Sequence, residues 1–77
     1  MKLPRDVNAD MLIKVFLRYG YSVTRQVGSH VRLSNKDNHH SITIPRHNPL
    51  KVGVLHNIIK DFCTVNDIST QDILNKL

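Results

Sequence analysis

A chain of 77 residues with a formal net charge of +5 has room for one domain with a thin core, and none for a separate cofactor domain. The positive charge favours an anionic partner, nucleic acid before others, although a basic surface without a partner explains it equally well. The single cysteine excludes an internal disulfide, and with no apolar leader and no membrane-length apolar run, the sequence predicts a soluble, cytoplasmic protein.

The first predicted element is a helix that follows Asn8 and ends at Gly20. Asn8 is a suitable N-cap, because its side-chain oxygen can accept from the free N–H groups of the first turn. From Asp10 onward, apolar residues recur at i, i+3, i+4 and i+7, which is the spacing of one helix face. These residues are Leu12, Val15, Phe16 and Tyr19. Gly20 can end the helix in a left-handed turn.

Two strand-like runs, residues 21–27 and 31–34, flank a Gly-Ser step. Glycine tolerates the positive φ of tight turns, so this pattern predicts a β-hairpin. A two-residue loop would pair Val27 with His30 and divide the apolar residues between the two sheet faces. A three-residue loop with a bulge would pair Val27 with Val31 and keep them on one face, so we expect the bulged turn.

The bulged register assigns the hairpin residues to two faces. The apolar face would hold Tyr21, Val23, Val27, Val31 and Leu33. The open face would hold Ser22, Thr24, Gln26, His30, Arg32 and Ser34. Arg25 falls on the apolar face in this register and would have to extend its charged end to solvent.

A third strand is expected over residues 41–44, ended by Pro45, which cannot donate to a strand ladder. A polar loop over residues 46–49 leads to a second helix over residues 51–62. A short last helix follows Ser69, which with Asp72 resembles a capping box. The order of helix, three antiparallel strands and helices predicts an α+β fold, with one sheet face packed on helices and the other open and polar.

His30 is the main candidate for chemistry, because it stands at the turn near Arg25 and Arg32. Histidine is the side chain whose ordinary pKa allows proton exchange near neutral pH. It is therefore a candidate acid/base facing a negatively charged ligand. The alternative is a surface histidine that only binds phosphate.

The other histidines are weaker candidates. His47 follows the third strand and is the better choice for a second proton-transfer group. His39 and His40 lie in a polar turn and are expected to be solvated, and His56 is expected at the surface. Two adjacent histidines do not converge on one metal, and no cysteine or carboxylate cluster joins them. The sequence therefore predicts no metal site and no cofactor.

Basic residues near the turn and near the second helix form a candidate nucleic-acid footprint. The candidates are Arg25, Arg32, Arg46 and Lys51. Lys51 stands at the expected N-terminus of the second helix, where free N–H groups and the helix dipole already favour an anion. Taken singly, each of them is more often only a solvated charge.

Several motifs at the joints of these elements resemble the HicA family, also called YcfA-like, of toxins from bacterial and archaeal type II toxin–antitoxin pairs. The first is Tyr-Gly-Tyr at residues 19–21, and the second is the turn at residues 25–30 that ends in Gly-Ser-His. The third is Ile-Thr-Ile-Pro at residues 42–45, followed by His47. The last is Leu-Lys-Val-Gly-Val-Leu at residues 50–55, leading into residues 58–60.

The resemblance implies one domain over residues 1–77, with a fold similar to the double-stranded RNA-binding domain. It implies a metal-independent endoribonuclease, an mRNA interferase of the stress response, that has mRNA as substrate and a cognate HicB-like antitoxin covering the site. By position, His30 would be the catalytic residue, with Gly28 setting the backbone and Ser29 supporting the turn. The RNA-binding residues would be Arg25, Arg32, Arg46, His47 and Lys51.

The chain departs from the family pattern at the end of the second helix. The family usually closes there with an Ala-Gly-Leu-like step, whereas residues 61–67 read Asp-Phe-Cys-Thr-Val-Asn-Asp. Two other functions remain open: a non-catalytic RNA-binding module in which His30 contacts the RNA backbone, and a protein-interaction domain whose basic face binds an acidic partner. Cleavage, binding without cleavage, and absence of RNA affinity would separate the three.

Overall fold

The computed structural model describes residues 3–4 and 6–77. Three antiparallel strands form one sheet in the order β1-β2-β3, and helices precede and follow it in the chain. The elements are α1 (Ala9–Leu17), β1 (Ser22–Val27), β2 (His30–Asn35), β3 (His40–Pro45), α2 (Val52–Asn66) and α3 (Thr70–Leu74). This arrangement confirms the expected α+β fold. None of the helices in the described part of the chain could cross a membrane.

The helix ends largely follow the capping residues. The Asn8 side chain accepts from the backbone N–H of Met11 at 2.8 Å, and the Ser69 side chain accepts from that of Asp72 at 3.1 Å. Helix α1 ends at Leu17, three residues before Gly20, which takes a φ of +87°. Helix α2 extends past its predicted end at residue 62 to Asn66, because its backbone does not turn left-handed until the residue after Asn66.

The core lies between the helices and the inner face of β2 and β3. Phe16 of α1 stacks on Phe62 of α2, with 3.9 Å between ring centroids. Leu33 and Ile44 from the sheet are fully buried against this layer. The apolar periodicity of the sequence therefore predicts correctly which faces of α1, α2, β2 and β3 point inward.

The hairpin turn differs from the expected one. Val27 pairs with His30 across the two-residue loop of Gly28 and Ser29, so the expected pairing of Val27 with Val31 is wrong. Gly28 has a φ of +57° and Ser29 has no positive φ, which is the pattern of a type II′ turn. The bulge lies instead at Thr24, where the register shifts.

The prediction of the register was wrong because it assumed that β1 has a buried face. All six residues of β1 are exposed, and Val27 is 57% exposed. An edge strand that buries little does not fix its register through its apolar pattern, so the turn determines it. As a result Gln26 lies opposite Val31, and Arg25 lies opposite Arg32 on the open face, where it has no need to extend around the sheet edge.

Candidate functional site

His30 is the first residue of β2 and its side chain is exposed at the end of the hairpin. It pairs with Pro45, the last residue of β3. The carbonyl of Ser29 accepts a hydrogen bond of 2.6 Å from the backbone N–H of Arg46. The structure therefore places the loop after β3 directly beside the turn that carries His30.

His47 belongs to the same end of the sheet. Its backbone N–H donates to the Pro45 carbonyl at 2.8 Å, which folds the chain back just past the residue that pairs with His30. Its side chain is exposed. The backbone of His47 therefore lies two residues beyond Pro45, the residue that pairs with His30.

The loop after β3 is tied to the start of α1. The Arg46 Nε donates to Asp10 Oδ1 at 2.9 Å, with both side chains about half exposed. Asn48 Oδ1 accepts from the backbone N–H of Ala9 at 3.3 Å. The exposed ion pair contributes under about 1 kcal/mol, but it directs part of the Arg46 guanidinium toward a carboxylate and away from an incoming anion.

Lys51 is the N-cap residue of α2 and is exposed. Its side chain makes no capping hydrogen bond, and the first turn of α2 holds no acidic residue. The N–H groups of that turn therefore keep their partial positive charge. Lys51 lies at the end of the same loop as Arg46 and His47, so these expected RNA-binding residues share one segment of the chain.

Polar side chains occupy the open face of the sheet between the turn and its far end. Thr24, Ser34 and Ser41 form a row of hydroxyls, with oxygen–oxygen distances of 3.0 Å for the first pair and 2.9 Å for the second. Arg32 donates from Nη2 to the Ser41 hydroxyl at 3.3 Å. Arg25 stands opposite Arg32 on this face. Of the expected RNA-binding residues, these two therefore belong to the sheet and the other three to the loop.

His40 contradicts its expected solvated state. Its side chain is only 13% exposed, and both ring nitrogens have partners. Nδ1 lies 2.6 Å from the Tyr21 hydroxyl, and Nε2 lies 3.0 Å from Asp61 Oδ2. Asn66 donates from Nδ2 to the same Tyr21 hydroxyl at 2.9 Å. The four residues come from distant parts of the chain, and no local sequence pattern indicates their contact.

The remaining histidines and the cysteine lie outside the groups of residues described above. His39 is exposed, as expected, whereas His56 is half-buried on α2. Among the described residues, no group of three or more His, Cys, Asp or Glu side chains is placed to hold a metal. Burial, with a smaller contribution from Asp72, raises the pKa of the Cys63 thiol.

The chain matches the model of a known protein family. The model of a family described as the HicA toxin of bacterial toxin–antitoxin systems matches residues 9–62, which is more than half of the chain. The match begins at α1 and ends within α2, so it includes the whole hairpin and the loop after β3. Searches of curated proteins and of solved structures found no match.

Proposed function

Because the chain belongs to the HicA family of toxins from bacterial toxin–antitoxin systems, we propose that it is an endoribonuclease that cleaves mRNA with His30 as acid/base. The observation that carries this proposal is the placement of His30. It is exposed at a turn, and none of the described residues hydrogen-bonds its ring. Its ring nitrogens are therefore available to a substrate, among basic side chains that favour a phosphate.

The reaction needs no group beyond the RNA and two proton-transfer side chains. The ribose 2′-oxygen attacks the adjacent phosphorus, forming the P–O2′ bond and breaking the P–O5′ bond. One side chain removes the 2′-hydroxyl proton, and another donates a proton to the leaving 5′-oxygen. His30 takes one of these roles and His47 the other, because His47 lies two residues after Pro45, which pairs with His30. Such acid/base catalysis contributes about 10²–10⁴-fold.

Phosphate binding supplies the other half of the proposal. Lys51 and the first turn of α2 attract one phosphate, while Arg25 and Arg32 on the sheet attract others. Arg46 contributes with the part of its guanidinium that Asp10 leaves open. Ser29 and Gly28 hold the turn that presents His30. The protein acts in the cytoplasm, where mRNA is translated, as part of a stress response.

A cognate HicB-like antitoxin controls the activity. Blocking from outside needs only one acidic partner over the open face, because that face carries both His30 and Arg32. Such a partner removes the proton-transfer group and the phosphate contacts together. Antitoxin and RNA therefore compete for the protein.

A non-catalytic RNA-binding module is the second candidate function. One observation favours it: among the described residues, no carboxylate or carbonyl orients the His30 ring, as orienting groups do for many catalytic histidines. In that case His30 and the arginines only contact the RNA backbone. Binding without cleavage would be the result.

The test compares His30→Asn with His39→Asn, which changes another exposed histidine in the same way. We expect His30→Asn to slow cleavage of labelled mRNA by at least about 10²-fold and to abolish growth arrest. His39→Asn should keep the parent rate, and both variants should melt with the parent. A folded His30→Asn protein that cleaves at the parent rate would exclude His30 as the catalytic group.

A further inference from the structure

Two arginines lie directly opposite each other on the open face. Arg25 of β1 and Arg32 of β2 are cross-strand partners, and both are exposed. Side chains in this position have Cβ atoms about 4.5–5.5 Å apart, and like charges there destabilise a sheet. The protein keeps this unfavourable pair although a neutral residue at either position would relieve it.

No anion within the described chain offsets the two charges. The ion pairs among the described residues join His40 to Asp61 and Arg46 to Asp10, so neither includes Arg25 or Arg32. Arg32 donates to a serine hydroxyl, which leaves most of its guanidinium donors free. Two guanidinium groups at this separation can bind the same phosphate, since each presents a planar fork of N–H donors.

The surroundings of the pair suit RNA. His30 lies two residues before Arg32 on β2 and on the same face, about 7 Å along the strand. On the other side of the pair lies the hydroxyl row of Thr24, Ser34 and Ser41. Hydroxyls can donate to and accept from a ribose 2′-hydroxyl, which is the group that distinguishes RNA from DNA.

We propose that Arg25 and Arg32 together bind one phosphodiester of a single RNA strand that lies along β2 on the open face of the sheet. This binding places the next phosphodiester of the strand at His30. The hydroxyl row contacts the ribose groups on the other side of the bound phosphate. The inference rests on the proposed ribonuclease function and specifies its substrate as single-stranded RNA held on the sheet.

A single strand fits this face better than a duplex does. Three strands about 4.8 Å apart, each six residues long, give a platform about 10 Å wide and 20 Å long. This face is shorter than the stretch of about 16 base pairs over which a double-stranded RNA-binding domain contacts successive minor grooves. The aromatic rings pack with one another in the core, among them Phe16, Tyr21 and Phe62. Among the described residues, no tyrosine or phenylalanine ring lies on the open face for bases to stack on, so this face selects for the backbone and not for sequence.

The test measures RNA binding by His30→Asn protein, which should not cleave, with and without Arg25→Gln. Arg18→Gln is the matched control, because Arg18 is exposed at the end of α1. We expect Arg25→Gln to weaken binding of a single-stranded RNA about tenfold. It should also lower the slope of log affinity against log salt by about 0.7. Its melting temperature should equal or exceed that of the parent, because the like-charge pair is gone.

The same RNA sequence is then compared as single strand, as duplex and as DNA. We expect the single-stranded RNA to bind most tightly. Equal effects of Arg25→Gln and Arg18→Gln would overturn the clamp, as would preferred binding of the duplex. Equal binding of single-stranded DNA would overturn the role of the hydroxyl row. If Arg25→Gln weakened binding of an acidic protein partner but left RNA binding unchanged, the proposal would also be overturned.

These outcomes are independent of the cleavage assay. If the parent protein does not cleave RNA but Arg25→Gln still weakens single-strand binding, the clamp stands and the ribonuclease proposal fails. If cleavage depends on His30 but Arg25→Gln binds and cleaves like the parent, the ribonuclease proposal stands and the clamp fails.

Discussion

The two ends of the sheet each begin a strand with a histidine, yet the two histidines have opposite surroundings. His30 opens β2 at the hairpin end, exposed and without a ring partner among the described residues. His40 opens β3 at the other end, with both ring nitrogens engaged. The difference comes from what packs nearby: α2 supplies Asp61 to His40, whereas the hairpin end lies beside a loop. A histidine is available for proton transfer where the fold leaves its nitrogens unsatisfied.

The hydrogen bonds of His40 engage both of its ring nitrogens. The Asp61 carboxylate only accepts, so His40 Nε2 carries the hydrogen and donates. In the tautomer with its hydrogen on Nε2, Nδ1 accepts from the Tyr21 hydroxyl, and that hydroxyl in turn accepts from Asn66. The side chains of His40, Tyr21, Asp61 and Asn66 are thus joined in one chain of hydrogen bonds. This end of the sheet therefore has a structural role.

The largest effect on stability should come from His40→Ala, which we expect to cost about 2 kcal/mol of unfolding free energy. The variant leaves the buried Tyr21 hydroxyl hydrogen without its acceptor. Cleavage by the folded variant should stay within a few-fold of the parent, the reverse of the result expected for His30→Asn. Thermal melts and RNA cleavage are the measurements.

A double-mutant cycle makes this prediction sharper. In a Tyr21→Phe background there is no hydroxyl to leave unsatisfied, so His40→Ala should cost less there. Full additivity of the two substitutions would show that the hydrogen bond between them contributes nothing. Loss of cleavage in a well-folded His40→Ala protein would remove the contrast between the two ends of the sheet.

The sequence predicts the elements better than it predicts their contacts. Asn8 and Ser69 cap their helices as expected, because capping depends on neighbouring residues. The network of His40 joins Tyr21 to Asp61, and these residues are far apart in the chain. Periodicity has no information about such a contact. A prediction that His40 is buried would have been the one available signal. The polar turn before His40 indicates an exposed position instead.

Whether Arg25 and Arg32 lie opposite each other depends on the register of the hairpin. The two-residue loop was one of two possibilities, and it places Arg25 opposite Arg32. The sequence pattern favours the bulged alternative because it gathers Val23 and Val27 on the apolar face, but in the structure both are at least half exposed. Hydrophobic patterning is a weak guide on an edge strand that the helices do not cover.

A smaller effect is expected at the hairpin end, where Gly28→Ala should cost about 1 kcal/mol. Gly28 has a φ of +57°, and an added Cβ would meet nothing within 4 Å, so the cost is one of backbone conformation alone. Gly28→Asn should recover part of the loss, since asparagine tolerates positive φ. Because the turn presents His30, Gly28→Ala should also slow RNA cleavage, and by more than the smaller fraction of folded protein accounts for.

Gly53→Ala is the matched control for that substitution. Gly53 lies in the first turn of α2 with open space around it and without a positive φ, so alanine should stabilise the helix. Thermal melts of the two alanine variants should therefore shift in opposite directions. A Gly28→Ala protein as stable as the parent would show that the turn does not need glycine.

The smallest effect concerns Cys63, which lies on α2 beside the residues that support the His40 end. Burial raises the pKa of its thiol in the folded protein, and Asp72 adds to the shift. The unfolded chain therefore loses this proton at lower pH than the folded protein does. The contribution of the protonated thiol to the stability of the fold is complete below the ordinary thiol pKa and is lost as the pH rises through the raised pKa of the folded state.

Free energies of unfolding from neutral to alkaline pH should thus fall more steeply for the parent than for Cys63→Ala, which lacks the thiol but keeps every other titrating group. Parallel curves would mean that the thiol titrates alike in both states, and fast alkylation of the folded parent at neutral pH would contradict its burial.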